Sequence, residues 1–166
     1  MTDLKYKIIA VDFDKTLTFD DAYPDAGTLN IKAIEVLKEY RVCGGKIILW
    51  TLRTGQPLQN AIDACKAEGL EFDAANDNLK EQVKWWLDRN PGIEMSRKIY
   101  ADLYIDDRDP VNMLNESIDW DIVEYILSMK KEDTINNFFL AAKIKFRKYL
   151  AMVNKLWYYE TRGKTE

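Results

Sequence analysis

The chain has 166 residues, a formal net charge of −4 and no histidine. Its length suits one globular domain, and its acidic charge does not favour nucleic acid as a partner. The lack of histidine excludes Ser-His-Asp triads and the usual histidine zinc sites. Catalysis by this chain would therefore have to use carboxylates, lysine, arginine, hydroxyl groups or a metal ion held by oxygen.

The first third of the chain alternates predicted strands and helices. Residues 6–11 form an apolar run that ends at Asp12, which predicts a buried parallel strand. Residues 19–27 are rich in Asp, Gly and Pro and predict a loop. Residues 29–42 carry apolar side chains at helical spacing, and residues 46–50 form a second apolar strand, after which Thr51 follows.

The same alternation continues through the middle of the chain. Its predicted elements are a helix over residues 57–68, a weak strand over 70–74, a helix over 79–89 and a strand over 99–105. Strands that alternate with helices predict an α/β fold with a central parallel sheet and right-handed crossovers. Residues 118–129 and 134–159 read as helices, so we predict a core over residues 1–115 and a C-terminal helical extension over 116–166.

The N-terminal segment and the lengths of the apolar runs indicate the cellular location of the protein. Residues 1–7 are polar and charged, so no signal peptide fits. No apolar run approaches the roughly 18 residues that a membrane-spanning helix needs. Cys43 and Cys65 have no partner spacing and are interpreted as buried or idle thiols, not as a disulfide or a metal site. We therefore predict a cytoplasmic protein without a membrane partner.

Acidic side chains and a threonine follow three of the predicted strands. Asp12 and Asp14 come after the first strand, Thr51 after the second, and Asp106 and Asp107 after the last. In open parallel sheets, ligands bind outside the carboxyl ends of the strands, so these groups are expected to share one rim. One carboxylate can attack phosphorus while another transfers protons. Carboxylates this close repel each other, and a hard cation such as Mg²⁺ relieves the repulsion.

Three segments in this order resemble the motifs of the haloacid dehalogenase superfamily of phosphohydrolases. IIAVDFDKTLT resembles its first motif, IILWT its second and ADLYIDDR its fourth. The resemblance covers roughly residues 6–109. It implies a Rossmannoid three-layer sandwich and a magnesium-dependent phosphatase that works through an aspartyl-phosphate intermediate.

The resemblance also implies a role for each matching residue. Asp12 is expected to be the nucleophile and a metal ligand, and Asp14 the general acid/base, with its backbone carbonyl on the metal. Asp106 and Asp107 are expected to complete the metal site. Thr51 is expected to bind phosphate. Thr16 is expected to support the loop and is grouped with the substrate-binding residues.

The third motif of the superfamily is a lysine, and here its position is open. Lys98, just ahead of the last strand, is the preferred candidate, and Lys80, near the start of the preceding helix, is the alternative. The intervals between the motifs are filled by a strand, a helix and loops, so no cap domain is expected. A capless member has an open site, and its phosphorylated substrate cannot be identified from the sequence.

Two further features have alternative interpretations. Arg53 could contact a substrate anion near the rim or pair with a loop carboxylate.

The predicted C-terminal helix carries lysines and arginines among aromatic side chains, which leaves nucleic acid open as a partner. We favour instead an amphipathic helix that packs on the core or on a second subunit, which would make a homo-oligomer.

Two non-catalytic functions compete with the phosphatase. Receiver domains also place an acidic cluster, a threonine and a lysine on a parallel sheet, but the DxDxT order here favours the hydrolase. A degenerate member of the superfamily could instead bind phosphate or metal as a regulatory or interaction protein. The presence of all the key carboxylates counts against that alternative.

Overall fold

The computed structural model describes residues 4–109 and 117–130. Within them, four parallel strands form one sheet in the order β3-β2-β1-β4. The strands are β1 (Ile8–Val11), β2 (Lys46–Leu49), β3 (Ala74–Ala75) and β4 (Leu103–Ile105). The predicted α/β fold with a central parallel sheet is confirmed, and β1 lies between β2 and β4.

Apolar side chains on both faces explain why these short segments form strands. Val11 is in register with Leu49 on β2 and with Ile105 on β4, and all three are buried in one large core. Ile48 points to the opposite face, where it packs with Leu79 and Ile99 in a smaller cluster. A sheet that is buried on both faces needs continuous apolar strands, as the sequence has here.

Four helices lie within the described residues: α1 (Ile31–Val42), α2 (Gly55–Ala67), α3 (Lys80–Arg89) and α4 (Trp120–Leu127). The side chain of Asn30 accepts a hydrogen bond from the backbone N–H of Ala33 and so caps α1. The side chain of Asp119 caps α4 in the same way. Apolar residues of α1, α2 and α4 pack against the sheet in the large core.

The compact unit that contains the sheet ends at Lys130, not at residue 115 as predicted. Trp120 and Leu127 of α4 are buried in the large core, and the backbone N–H of Lys5 donates to the carbonyl of Met129. This segment therefore belongs to the core rather than to an extension. The helix predicted over residues 134–159 lies outside the described residues.

The weak strand predicted over residues 70–74 is displaced. Leu70 is fully buried without pairing in the sheet, and β3 contains only Ala74–Ala75.

In the part of the chain that the structure describes, no helix has both the length and the apolar character that crossing a bilayer requires.

Candidate active site at the carboxyl ends of the strands

Three carboxylates converge where β1 and β4 end. The backbone N–H of Asp12 donates to the carbonyl of Ile105 at 3.0 Å, so the loops that follow these two strands begin side by side. Oxygen atoms of Asp12, Asp106 and Asp107 lie within 4.8 Å of one another. The sequence prediction that these residues share one rim is met by this geometry.

Burial and mutual repulsion alter the acidity of this cluster. Burial raises the pKa of Asp12 to about 7, and the negative charges of Asp106 and Asp107 add to the rise. Burial also raises the pKa of Asp107, as do its hydrogen bond with Asp106 and that residue's charge. The cluster therefore resists carrying its full negative charge unless a cation is present.

Thr16 connects the loops that follow β1 and β4. Its hydroxyl donates to Oδ2 of Asp12 at 3.3 Å and accepts the backbone N–H of Asp107 at 3.0 Å. Only 1% of Thr16 is exposed, and it does not line the cavity beside the carboxylates. The structure therefore does not place Thr16 at the cavity with the other predicted substrate-binding residues, whereas its expected support of the loop agrees with the structure. Thr16 is a positioning residue.

We expect Thr16→Val to destabilise the fold, because the side chain keeps its shape while the N–H of Asp107 loses its acceptor. Leaving such a group without a partner costs about 1–3 kcal/mol of unfolding free energy. Thr16→Ser retains the hydroxyl and should lose less. Urea unfolding measures both, with Thr28→Val, at an exposed hydroxyl bonded to Asp20, as the control. Equal stability of the Val variant and the wild type would contradict this role.

Arg53 pairs with the second carboxylate of the first motif. Its Nε and Nη2 donate to the two oxygens of Asp14 at 2.9 and 2.7 Å, and its Nη1 donates to the carbonyl of Pro24 at 3.1 Å. The Arg53 side chain is 1% exposed. Of the two interpretations of Arg53, the structure therefore favours pairing with a loop carboxylate over contact with a substrate anion.

The same pairing bears on the predicted metal site. The carboxylate of Asp14 is engaged by Arg53 and is not part of the three-carboxylate cluster. Among the described residues, the side chains that could hold a cation here are therefore Asp12, Asp106 and Asp107. The metal contact predicted for Asp14 was through its backbone carbonyl, and the pairing of its side chain does not test that prediction. They offer the hard oxygen ligands that Mg²⁺ prefers, and the raised pKa of Asp12 shows that their charges need compensation. This donor set fits magnesium.

A cavity of about 630 Å³ opens beside the carboxylates, within the range of small-molecule sites. Thr51 lines it, and its loop is fixed because the backbone N–H of Thr51 donates to Oδ1 of Asn76 at 2.9 Å. The hydroxyl of Thr51 accepts the N–H of Arg53 at 3.3 Å. Thr51 thus lies where the sequence predicted it.

Neither predicted lysine lines this cavity among the described residues. Lys98 is exposed, and the neighbouring Ile99 anchors its segment against Ile48 and Leu79. Lys80 lines a separate cavity at the start of α3. The structure thus does not bring Lys98 or Lys80 to the carboxylates.

Among the residues that the structure describes, the cations that line the cavity, apart from Arg53, are Lys15 and Arg108. Each directly follows a predicted site carboxylate in the sequence, Asp14 and Asp107 respectively. Neither residue was assigned a role from the sequence, although its position next to a predicted site carboxylate could have indicated one. Their charges also oppose the rise of the Asp107 pKa.

The chain is similar to a conserved protein of Bacteroides thetaiotaomicron whose structure has been solved. The two sequences are 36% identical, the match covers 80% of this chain and 96% of that chain, and the TM-score is 0.60. No protein-family model matches the chain, and no curated protein matches it.

Proposed function

The chain belongs to the same family as this conserved protein of Bacteroides thetaiotaomicron, and we propose that it is a magnesium-dependent phosphatase that acts through an aspartyl phosphate on Asp12. One observation carries the proposal: Asp12 lies within a cluster of three carboxylates, in a cavity that Thr51 and Lys15 also line. Side chains that could act as a nucleophile, hold a cation and donate to phosphate oxygens thus lie together at the carboxyl ends of the strands, which supports the proposal.

In the proposed reaction, a carboxylate oxygen of Asp12 attacks the phosphorus of a phosphate monoester. The bond from phosphorus to the ester oxygen breaks, and Asp14 donates a proton to the departing oxygen. Asp14 then takes a proton from a water molecule, whose oxygen attacks the phosphorus and releases Asp12 and inorganic phosphate. Magnesium, when bound, supplies positive charge that offsets the carboxylates and the phosphate.

The proposal requires Asp14 to change its contacts. Both of its oxygens accept hydrogen bonds from Arg53, and a carboxylate held in this way has no proton to give. Asp14 must therefore release at least one of these contacts and take up a proton from solvent before it can give that proton to the departing ester oxygen. Thr51 and Lys15 are proposed to hold the phosphoryl oxygens, where negative charge must be stabilised.

Hydrolysis of an aryl phosphate tests the function directly. We expect the wild type to release phosphate with magnesium and to lose this activity with EDTA. Asp63→Asn is a matched control, because Asp63 is an exposed carboxylate on α2 outside the cavity, and it should retain full activity. Turnover that continues with EDTA would contradict the metal dependence, and no turnover under either condition would contradict the function.

Magnesium binding should depend on pH through Asp12. Its pKa in the folded protein is about 7, against an ordinary value of 3.8, so between these pH values the metal-free folded state retains a proton that the unfolded state has lost. The stability of the metal-free protein should therefore fall as the pH rises from about 4 to about 7. Magnesium has to displace that proton, so its affinity should rise about tenfold per pH unit below 7.

Thermal unfolding with and without magnesium measures this dependence. We expect the increase in Tm that magnesium causes to be larger one pH unit above the Asp12 pKa than one unit below it. Asp12→Asn removes the titrating group and should flatten the difference. An increase that is the same at both pH values in the wild type would contradict the assignment.

The non-catalytic alternative is a regulatory or interaction protein that binds metal or phosphate on the same fold. The observation that favours it is the engagement of both Asp14 oxygens by Arg53. Magnesium binding without hydrolysis of any phosphate monoester would support this alternative. For location, we propose the cytoplasm, because the described residues hold no disulfide bond, as is usual in a reducing compartment.

A further inference from the structure

We propose that the site takes phosphate monoesters whose leaving group carries an uncharged planar aromatic ring, and that Tyr23 and Trp50 hold this ring. The inference deepens the proposed function and rests on it. A nucleoside monophosphate is the natural ligand chemistry with these properties, because a pentose separates its one phosphate from a flat base.

Large apolar side chains stand at the cavity that holds the reacting groups. Tyr23, Trp50 and Leu52 all line it, and they are 63%, 37% and 86% exposed. Exposed aromatic side chains gathered at a cavity indicate a binding surface. Because Trp50 directly precedes Thr51 in the chain, a ligand whose phosphate meets Thr51 can place its leaving group beside the indole ring.

The ring of Tyr23 lies close to the guanidinium group of Arg53. The guanidinium carbon of Arg53 lies 5.5 Å from the centroid of the Tyr23 ring, close enough for a cation–π contact. Arg53 is itself fixed by Asp14 and by the carbonyl of Pro24. Tyr23 is thus positioned while most of its surface remains accessible to a ligand.

The charges around the cavity favour one phosphate on an otherwise neutral ligand. Its cations are Lys15, Arg53 and Arg108, and its carboxylates are Asp12, Asp14, Asp21, Asp106 and Asp107. Arg53 is engaged by Asp14, and Asp21 adds an exposed negative charge to the lining. A second phosphate would therefore meet repulsion, whereas a flat neutral ring can stack on the aromatic side chains.

The test compares adenosine 5′-monophosphate with ribose 5-phosphate in the presence of magnesium. Both esters have the same primary leaving oxygen, so the ratio of their kcat/KM values isolates the contribution of the base. Stacking on aromatic side chains should give a ratio of about 10–100 for the wild type. The ratio should fall toward 1 in the Trp50→Leu, Tyr23→Leu double variant, and Tyr23→Phe should keep it.

Trp85→Leu is the matched control. Trp85 is an exposed tryptophan on α3 that does not line the cavity, so its replacement should leave the ratio unchanged. Equal kcat/KM for the two esters in the wild type would overturn the inference and leave the phosphatase intact. A high ratio that survives in the double variant would overturn the assignment to Tyr23 and Trp50. Turnover of neither ester by protein that hydrolyses the aryl phosphate would overturn the inference alone, whereas loss of aryl phosphate hydrolysis as well would overturn the proposed function and the inference with it.

Discussion

The Asp12→Asn variant is expected to lose about 10³-fold or more in kcat, the scale of loss seen when a covalent nucleophile is removed from a hydrolase. The amide is isosteric with the carboxyl group but cannot form the acyl phosphate. Its fold should be intact, because the backbone N–H of Asp12 still donates to Ile105. Hydrolysis of the aryl phosphate with magnesium is the measurement.

The stability of the same variant provides an internal check. Asparagine removes a carboxylate whose ionisation is opposed by burial and by its acidic neighbours. Above about pH 7 and without metal, the variant should therefore unfold at a higher temperature than the wild type. Activity near that of the wild type would show that the nucleophile has been misassigned, and a lower Tm under these conditions would contradict the repulsion within the cluster.

Replacing Arg53 with methionine should produce the largest loss of stability. The change leaves Asp14 without its partner and leaves the carbonyl of Pro24 without a donor. Breaking a buried ion pair costs about 3–5 kcal/mol, and we expect about 2–3 kcal/mol of unfolding free energy here. The lower figure is chosen because 25% of the Asp14 side chain is exposed to solvent. Urea unfolding measures the change.

Two further variants show whether the loss of unfolding free energy comes from the ion pair between Arg53 and Asp14. Lys84→Met removes an exposed ion pair with Asp88 on α3 and should change stability by no more than about 0.5 kcal/mol. Combining Arg53→Met with Asp14→Asn should cost less than the sum of the two single changes, because the neutral amide does not need a cation. Strict additivity would mean that the two side chains do not stabilise each other.

The fold and the carboxylate cluster were predictable because both follow from strand position. Apolar runs such as residues 46–50 predicted parallel strands, and the carboxyl ends of parallel strands meet at one edge of the sheet. Asp12 and Asp106 therefore could be placed together although they are far apart in sequence. The position of Thr51 at the same edge was predicted for the same reason.

The loop contacts were not predictable in this way. Lys15 has a φ of 58°, a left-handed conformation that a lysine does not signal, and the choice of Asp14 as the partner of Arg53 depends on how two loops fold. Lys98 was placed from its distance in sequence to Asp106, but that distance does not say where a segment packs when β4 begins only at Leu103. The buried position of Thr16 likewise arises from contact between loops.

The inclusion of α4 in the core unit was missed for a related reason. Residues 118–129 were correctly read as helical, but helical periodicity does not say which domain a helix packs against. The antiparallel bridge between Leu4 and Lys130 joins segments at opposite ends of the unit. No local sequence pattern predicts such a contact. The boundary was therefore placed too early.

The most direct test of the central claim is mass spectrometry of the Asp14→Asn variant after reaction with an aryl phosphate and magnesium. An aryl leaving group departs without a proton from residue 14, whereas the attack by water still needs a base. The phosphorylated intermediate should therefore accumulate, and we predict a phosphoryl group on the peptide that contains Asp12. Phosphate released at the wild-type rate, with no phosphoryl group on Asp12, would contradict covalent catalysis by this residue.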